Sequence, residues 1–119
     1  MSEQPANSGL PAPDVSIVVP VRNEQDNVAP LIAEIAAALD GRWAYEIIYV
    51  NDGSTDATGD RLATEMRART NLRQVRHAAS SGHSAAVRTG IRAARGGIVA
   101  TLDGGTEQPG VSAGADRSD

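Results

Sequence analysis

The stretch YEIIYVNDGSTD, residues 45–56, decides the fold of this chain. YEIIYV (45–50) is a short β-branched and aromatic run, which reads as a buried strand. It ends abruptly on Asn51, Asp52 and Gly53, and the polar turn offers helix caps at Ser54 or Thr55. A helix is expected from there to about Arg69, with Leu62 and Met66 turned inward and Gly59 weakening its first turns slightly. Strand, polar turn and helix form one unit, and the chain repeats that unit on both sides.

Upstream, VSIVVPV (15–21) is a strand and RNEQDN a polar loop. Val28, Leu31, Ile32, Ile35 and Leu39 then recur at helical spacing, with Asp26 as the expected N-cap, Pro30 in the first turn and Gly41 as the stop. Downstream, LRQVRHA (72–78) alternates as an edge strand would. SSGHSAAVRTGIRAA (80–94) reads as a helix with Ala86, Val87, Ile91 and Ala94 on its apolar face, Gly90 permitting close approach to a sheet. GGIVATLD (96–103) is the fourth strand. The order βαβαβαβ predicts an α/β fold, a Rossmann-like sheet of four mainly parallel strands alternating with three helices. In such sheets ligands bind beyond the carboxyl ends of the strands, near the point where strand order reverses. The residues at those ends are Asn23 and Glu24, Asn51 and Asp52, and Asp103. Carboxylates therefore follow three of the four strands.

The 119 residues fit one domain. Residues 1–14, rich in Pro, Ser, Ala and Asn, read as a disordered leader. Residues 105–119 hold one large apolar residue, Val111, and read as a disordered tail. The foldable domain is thus 15–104. With no Phe, one Trp and two Tyr, its core must be aliphatic. A net charge of −4 argues against a nucleic-acid or anionic-membrane binder. The absence of cysteine excludes disulfides and thiolate metal sites and fits a cytoplasmic location. No apolar run reaches bilayer length, and the N-terminus lacks signal-peptide character.

A dinucleotide fingerprint would need Gly-x-Gly-x-x-Gly after the first strand; the chain has PVRNEQ there, and no Walker A motif anywhere. An acidic rim suits a nucleotide handled in another way. Asp accepts hydrogen bonds from a base N–H or a ribose hydroxyl, and Asp oxygens bind Mg²⁺ or Mn²⁺, which neutralises a pyrophosphate.

Three segments in order, VSIVVPVRNEQDNV, EIIYVNDGSTDAT and SGHSAAVRTGIRAARGGIVATLDG, resemble the family 2 glycosyltransferases of the GT-A fold, in the manner of polyprenyl- and dolichol-phosphate mannosyltransferases. The resemblance spans 15–104. It implies a nucleotide-sugar donor, a divalent Mg or Mn ion and a polyprenyl-phosphate acceptor. It implies further that Pro20, Arg22 and Glu24 form the nucleotide-side loop and that Asp52 contacts base or ribose. Gly82 and Ser84 would lie at the loop and helix start near the nucleotide, and Asp103 would be the first carboxylate of the metal-binding Asp-x-Asp. The second carboxylate of that motif is replaced by Gly105. The acceptor half, with the catalytic base, would follow. These departures lead us to expect an incomplete chain, its tail produced by a frameshift near Gly105, with weak nucleotide binding and no turnover. The alternative is a non-catalytic nucleotide-binding or docking module; a nucleotidyltransferase-like domain fits less well, for want of a Gly-rich basic first loop. Plainer roles stand beside these. Arg22 could be a solvated charge, Glu24 and Asp26 helix-start residues, and Asp52 a helix cap. Asp56 is read as a first-turn residue, and His77 and His83 as surface or loop residues.

Overall fold

The computed structural model describes residues 12–104. The leader up to residue 11 and the tail from Gly105, with the frameshift expectation, lie outside the described residues. Within them the chain runs β1 (Val15–Val21), a single 3₁₀ turn (Gln25–Asn27), α1 (Val28–Leu39), β2 (Tyr45–Asp52), α2 (Thr58–Ala68), β3 (Leu72–His77), α3 (His83–Ala93) and β4 (Ile98–Thr101). The sheet order is β3-β2-β1-β4, and every pairing is parallel. Strand order reverses after β3, so the switch point lies between β1 and β4.

β1 and β2 are buried at every position, as continuous apolar runs between two covered faces must be. Alternation along them builds two cores. Ile17, Val19, Val21, Ile47 and Tyr49 pack with Val28, Ile32 and Ile35 of α1 and Leu62 of α2. Val18, Ile48 and Val50 face the other way and pack with Ala86 of α3. Gly90 lets α3 lie close, because a Cβ there would overlap Val18 Cγ1. The expected role of Gly90 is therefore observed.

Several expectations are corrected. Ile91 is 47% exposed, because α3 reaches the sheet along the narrow line Ala86–Gly90 and Ile91 is turned off it. Met66 is also exposed, since the strand nearest α2 is the edge strand β3, whose own side chains are mostly half-exposed. Asn27, not Asp26, occupies the N-cap position of α1, and Asp26 sits in the preceding 3₁₀ turn. α2 begins at Thr58, later than a cap at Ser54 or Thr55 implies; the Asp56 carboxylate accepts the Thr58 N–H at 2.9 Å. α3 starts at His83, leaving 80–82 as loop. β3 is an edge strand as expected, and β4 forms the other edge, with Ile98 and Val99 exposed.

One buried carboxylate escaped the sequence reading. Glu46 on β2 accepts hydrogen bonds from Ser16 Oγ (2.6 Å), the Arg95 N–H (2.8 Å) and Arg73 Nη2 (2.9 Å). Ser16 Oγ in turn accepts the Gly96 N–H at 2.8 Å. The cluster ties the end of α3 to the amino-terminal edge of the sheet, opposite the carboxylate rim. A lone Glu inside an apolar parallel strand was the available signal, because such a charge needs partners.

Candidate functional site

The loops beyond the strand ends are held by side chains rather than by regular structure. Asn23 takes a left-handed backbone conformation, φ 55°, which Asn tolerates better than most residues. Its Oδ1 accepts the N–H groups of Thr55 (2.8 Å) and Asp56 (3.3 Å), and its own N–H donates to Ser54 Oγ (2.9 Å). The Glu24 N–H donates to Thr58 Oγ1 (2.9 Å), and Gln25 Oε1 accepts the Ala57 N–H (2.8 Å). Asn27 Nδ2 donates to the Gly104 carbonyl at 2.8 Å. The loops after β1, β2 and β4 are thereby joined. Gly104 is buried against β1, where a Cβ would overlap Val21 Cγ1, so Gly104 itself is pinned beside the end of β1.

A cleft of about 240 Å³ opens at the switch point. Pro20, Val21, Arg22 and Glu24 line it from β1 and its loop, Asp52 from β2, Ser80, Gly82, His83 and Ala86 from the approach to α3, and Asp103 from the end of β4. It thus brings together Pro20, Arg22, Glu24, Asp52, Gly82 and Asp103 from the expected set. Ser84 lies in the first turn of α3, exposed and outside the lining. Ser80 and His83 were not among the expected site residues. His83 is exposed as expected, but on the cleft wall.

Asp52 has the most constrained geometry. Oδ1 accepts from Nδ1 of His77 (2.7 Å) and the Ser81 N–H (2.8 Å); Oδ2 accepts from Ser80 Oγ (2.9 Å) and the Gly82 N–H (3.0 Å). The carboxylate that the resemblance assigns to base or ribose is engaged within the chain on both oxygens. It does not cap α2; it gathers the loop that precedes α3. Burial works against its charge, but the Ser81 N–H, His77, Ser80 and the Gly82 N–H outweigh burial and hold its pKa well below the usual carboxylate range. His77 is therefore corrected from a surface or loop residue to a half-buried residue at the end of β3. The parallel register sets Asp52 opposite His77, and that juxtaposition is invisible until the strands are paired.

Asp56 and Glu46 are lowered in the same sense. For Asp56 burial is outweighed by the Thr58 hydroxyl and N–H; for Glu46 it is outweighed by Ser16, the Arg95 N–H and Arg73. A group with a depressed folded pKa contributes stability that is present above its unfolded pKa and lost as pH falls through the folded value. The ordinary values are 3.8 for Asp and 4.5 for Glu. Urea midpoints should hold steady down to about pH 5 and then fall steeply below that. An unchanged midpoint between pH 5 and pH 3 would contradict this.

Among the described residues no three His, Cys, Asp or Glu side chains converge as a metal site. Glu24, Asp52 and Asp103 all line the cleft, but both Asp52 oxygens are already engaged within the chain, and the three do not converge as a self-sufficient site. The donor set fits a divalent ion only where ligand phosphates and water supply most of the coordination. No helix of the described residues is long and apolar enough to cross a membrane.

A parallel, doubly covered sheet with its cleft at the β1/β4 switch point defines a Rossmann-like α/β domain of the GT-A type. The profile of glycosyl transferase family 2 matches residues 16–106, and the chain belongs to that family. It is 40% identical over 102 residues to a dodecaprenyl-phosphate galacturonate synthase of Rhizobium johnstonii, covering 82% of this chain and 30% of the relative. It is 33% identical over 95 residues to a dolichol-phosphate mannosyltransferase of Pyrococcus furiosus, covering 80% and 26%. The chain thus spans under a third of the length of these relatives. Among solved structures it resembles a mannosyltransferase from Pyrobaculum calidifontis in complex with GDP-Man and Mn²⁺, with a TM-score of 0.71 and 26% identity over 80% of this chain and 28% of that one. S. aureus TarS in complex with UDP-GlcNAc shares the fold, with a TM-score of 0.68 and 24% identity over 76% and 26%.

Proposed function

We propose that the cleft binds the nucleoside diphosphate of a nucleotide-sugar donor, as part of a transferase that moves the sugar to a polyprenyl phosphate. The observation that carries this reading is the convergence of Pro20, Arg22, Glu24, Asp52, Gly82 and Asp103 on one cleft at the switch point. Arg22 brings positive charge to the end of β1, suited to a phosphate. Gly82, at the N-cap position of α3 with φ 98°, lets ligand approach the backbone closely. Asp52 acts by holding that loop in place. Asp103 would share a Mg²⁺ or Mn²⁺ ion with the diphosphate. Such an ion, when bound, offsets the charge of the leaving diphosphate.

Titration calorimetry with GDP and with UDP, each with and without Mn²⁺, tests the reading. One nucleotide should bind, more tightly with Mn²⁺, and Asp103→Asn should remove the Mn²⁺ dependence while Arg22→Ala weakens binding about tenfold. Failure of both nucleotides to bind would sink the proposal. Gly105, standing where the family has its second metal carboxylate, favours binding without turnover for this chain. Repeated turnover of GDP-mannose or a UDP-sugar by the pure protein would overturn that narrower reading.

A further inference from the structure

His77 joins the cleft to the body of α3, and the bonding fixes the proton on Nδ1. The Asp52 carboxylate can only accept, so Nδ1 of His77 carries the proton in the 2.7 Å bond to Oδ1. In the neutral ring Nε2 is then an acceptor, and Thr89 Oγ1, 2.9 Å away on α3, donates to it. The ring is thus held at both nitrogens. Asp52, held by the ring, presents its oxygens to Ser80 Oγ and to the N–H groups of Ser81 and Gly82. Ser80 and Gly82 line the cleft. Gly53 closes the arrangement from below: a Cβ at that position would lie 2.7 Å from the Ala79 carbonyl carbon.

We propose that His77 is a positioning residue of the nucleotide cleft: through the relay Thr89–His77–Asp52 it fixes the 80–82 loop that forms one wall. The role of the wall rests on the nucleotide-binding reading above, but the relay is testable without ligand. His77 need not touch the nucleotide; it acts through Asp52.

Two measurements on the free protein and one with ligand decide the matter. Nitrogen-15 NMR of the imidazole in the wild-type chain should show Nδ1 protonated. In His77→Ala, amide exchange at Ser81 and Gly82 should quicken tenfold or more, while the amides of Val18 and Val19 in β1 stay as protected as before. His77→Asn, whose Nδ2 can occupy the place of Nδ1, should restore most of that protection; Thr89→Val should fall between. Affinity for GDP or UDP with Mn²⁺ should follow the same order, dropping about tenfold in His77→Ala. Unchanged exchange at Ser81 and Gly82 overturns the proposal, as does a His77→Asn chain no better than His77→Ala. Lost affinity with unchanged exchange also overturns it, since His77 would then touch the ligand itself. If His77→Ala does not fold, the tautomer and Thr89→Val decide: a ring bare at Nδ1 sinks the relay. If the wild type binds neither nucleotide, the cleft reading fails while the exchange data still judge the relay.

Discussion

Gly53→Ala is expected to destabilise the chain by roughly 2–4 kcal/mol and to abolish nucleotide binding in the fraction that remains folded. Two costs add at this position. Gly53 has φ 71°, a left-handed conformation that costs a residue with a Cβ about 1–2 kcal/mol. The Cβ would also overlap the Ser80 N–H and press on the Ala79 carbonyl carbon at 2.7 Å, and backbone cannot move aside as the end of a flexible side chain can. The loop it displaces is the one gathered by Asp52, so stability and cleft fail together. Gly41 supplies the control. It has φ 80°, yet nothing lies within 4 Å of its would-be Cβ. Gly41→Ala should therefore cost only the conformational part, about 1–2 kcal/mol, and leave the cleft intact. Urea denaturation of the two variants side by side checks this, and equal losses would show that crowding against the 79–80 backbone contributes nothing.

Glu46→Ala is expected to cost a comparable amount, roughly 2–3 kcal/mol, by a different route and without direct effect on the cleft. Glu46 is 2% exposed, and its removal strands the Ser16 hydroxyl and the Arg95 N–H at the buried edge of the sheet. The side chains of Arg73 and of Arg95, whose Nε also reaches Glu46 Oε1 at 3.4 Å, are 41% and 38% exposed, so water takes over part of their solvation. The loss should therefore fall at or below the low end of the range for a wholly buried pair. Nucleotide affinity per folded molecule should match the wild type, since the cluster sits at the opposite end of the strands. Glu46→Ala should also flatten the acid limb of the stability profile, because one of the depressed carboxylates is gone. A denaturation midpoint within experimental scatter of the wild type would show that the cluster is paired but not stabilising.

These two positions show what could and could not be read before the chain was folded. Gly53 was legible as a turn glycine after a strand, but its close partner, the 79–80 backbone, lies far along the chain. Glu46 stood in plain view inside YEIIYV, and only the register opposite Ser16 and the approach of Arg73 and Arg95 explain why a charge is tolerated there. His77 was read as peripheral because no metal-spaced partner stood near it in sequence; the parallel β2–β3 register brings it to Asp52. Ile91 and Met66 show the converse error. Helical spacing marked them as inward, but spacing records which residues share a face and not how much sheet lies beneath that face.

Local patterning alone determined the element types, their order, the parallel α/β class and the rim on which Asp52 and Asp103 would meet. Period-two and period-3.6 repeats, and the turn chemistry between them, act over a few residues, so they survive in the bare chain. Tertiary structure decided the strand order β3-β2-β1-β4 and hence where the cleft opens. It also decided the bonding of the Asp52 carboxylate, the partnership of His77 with Thr89, and the burial of Glu46. Those features join residues separated by a dozen to nearly fifty positions. Such pairings come into being only when the sheet is assembled, because the free energy of a buried hydrogen bond depends on which partners the fold brings to it and how much water it leaves behind.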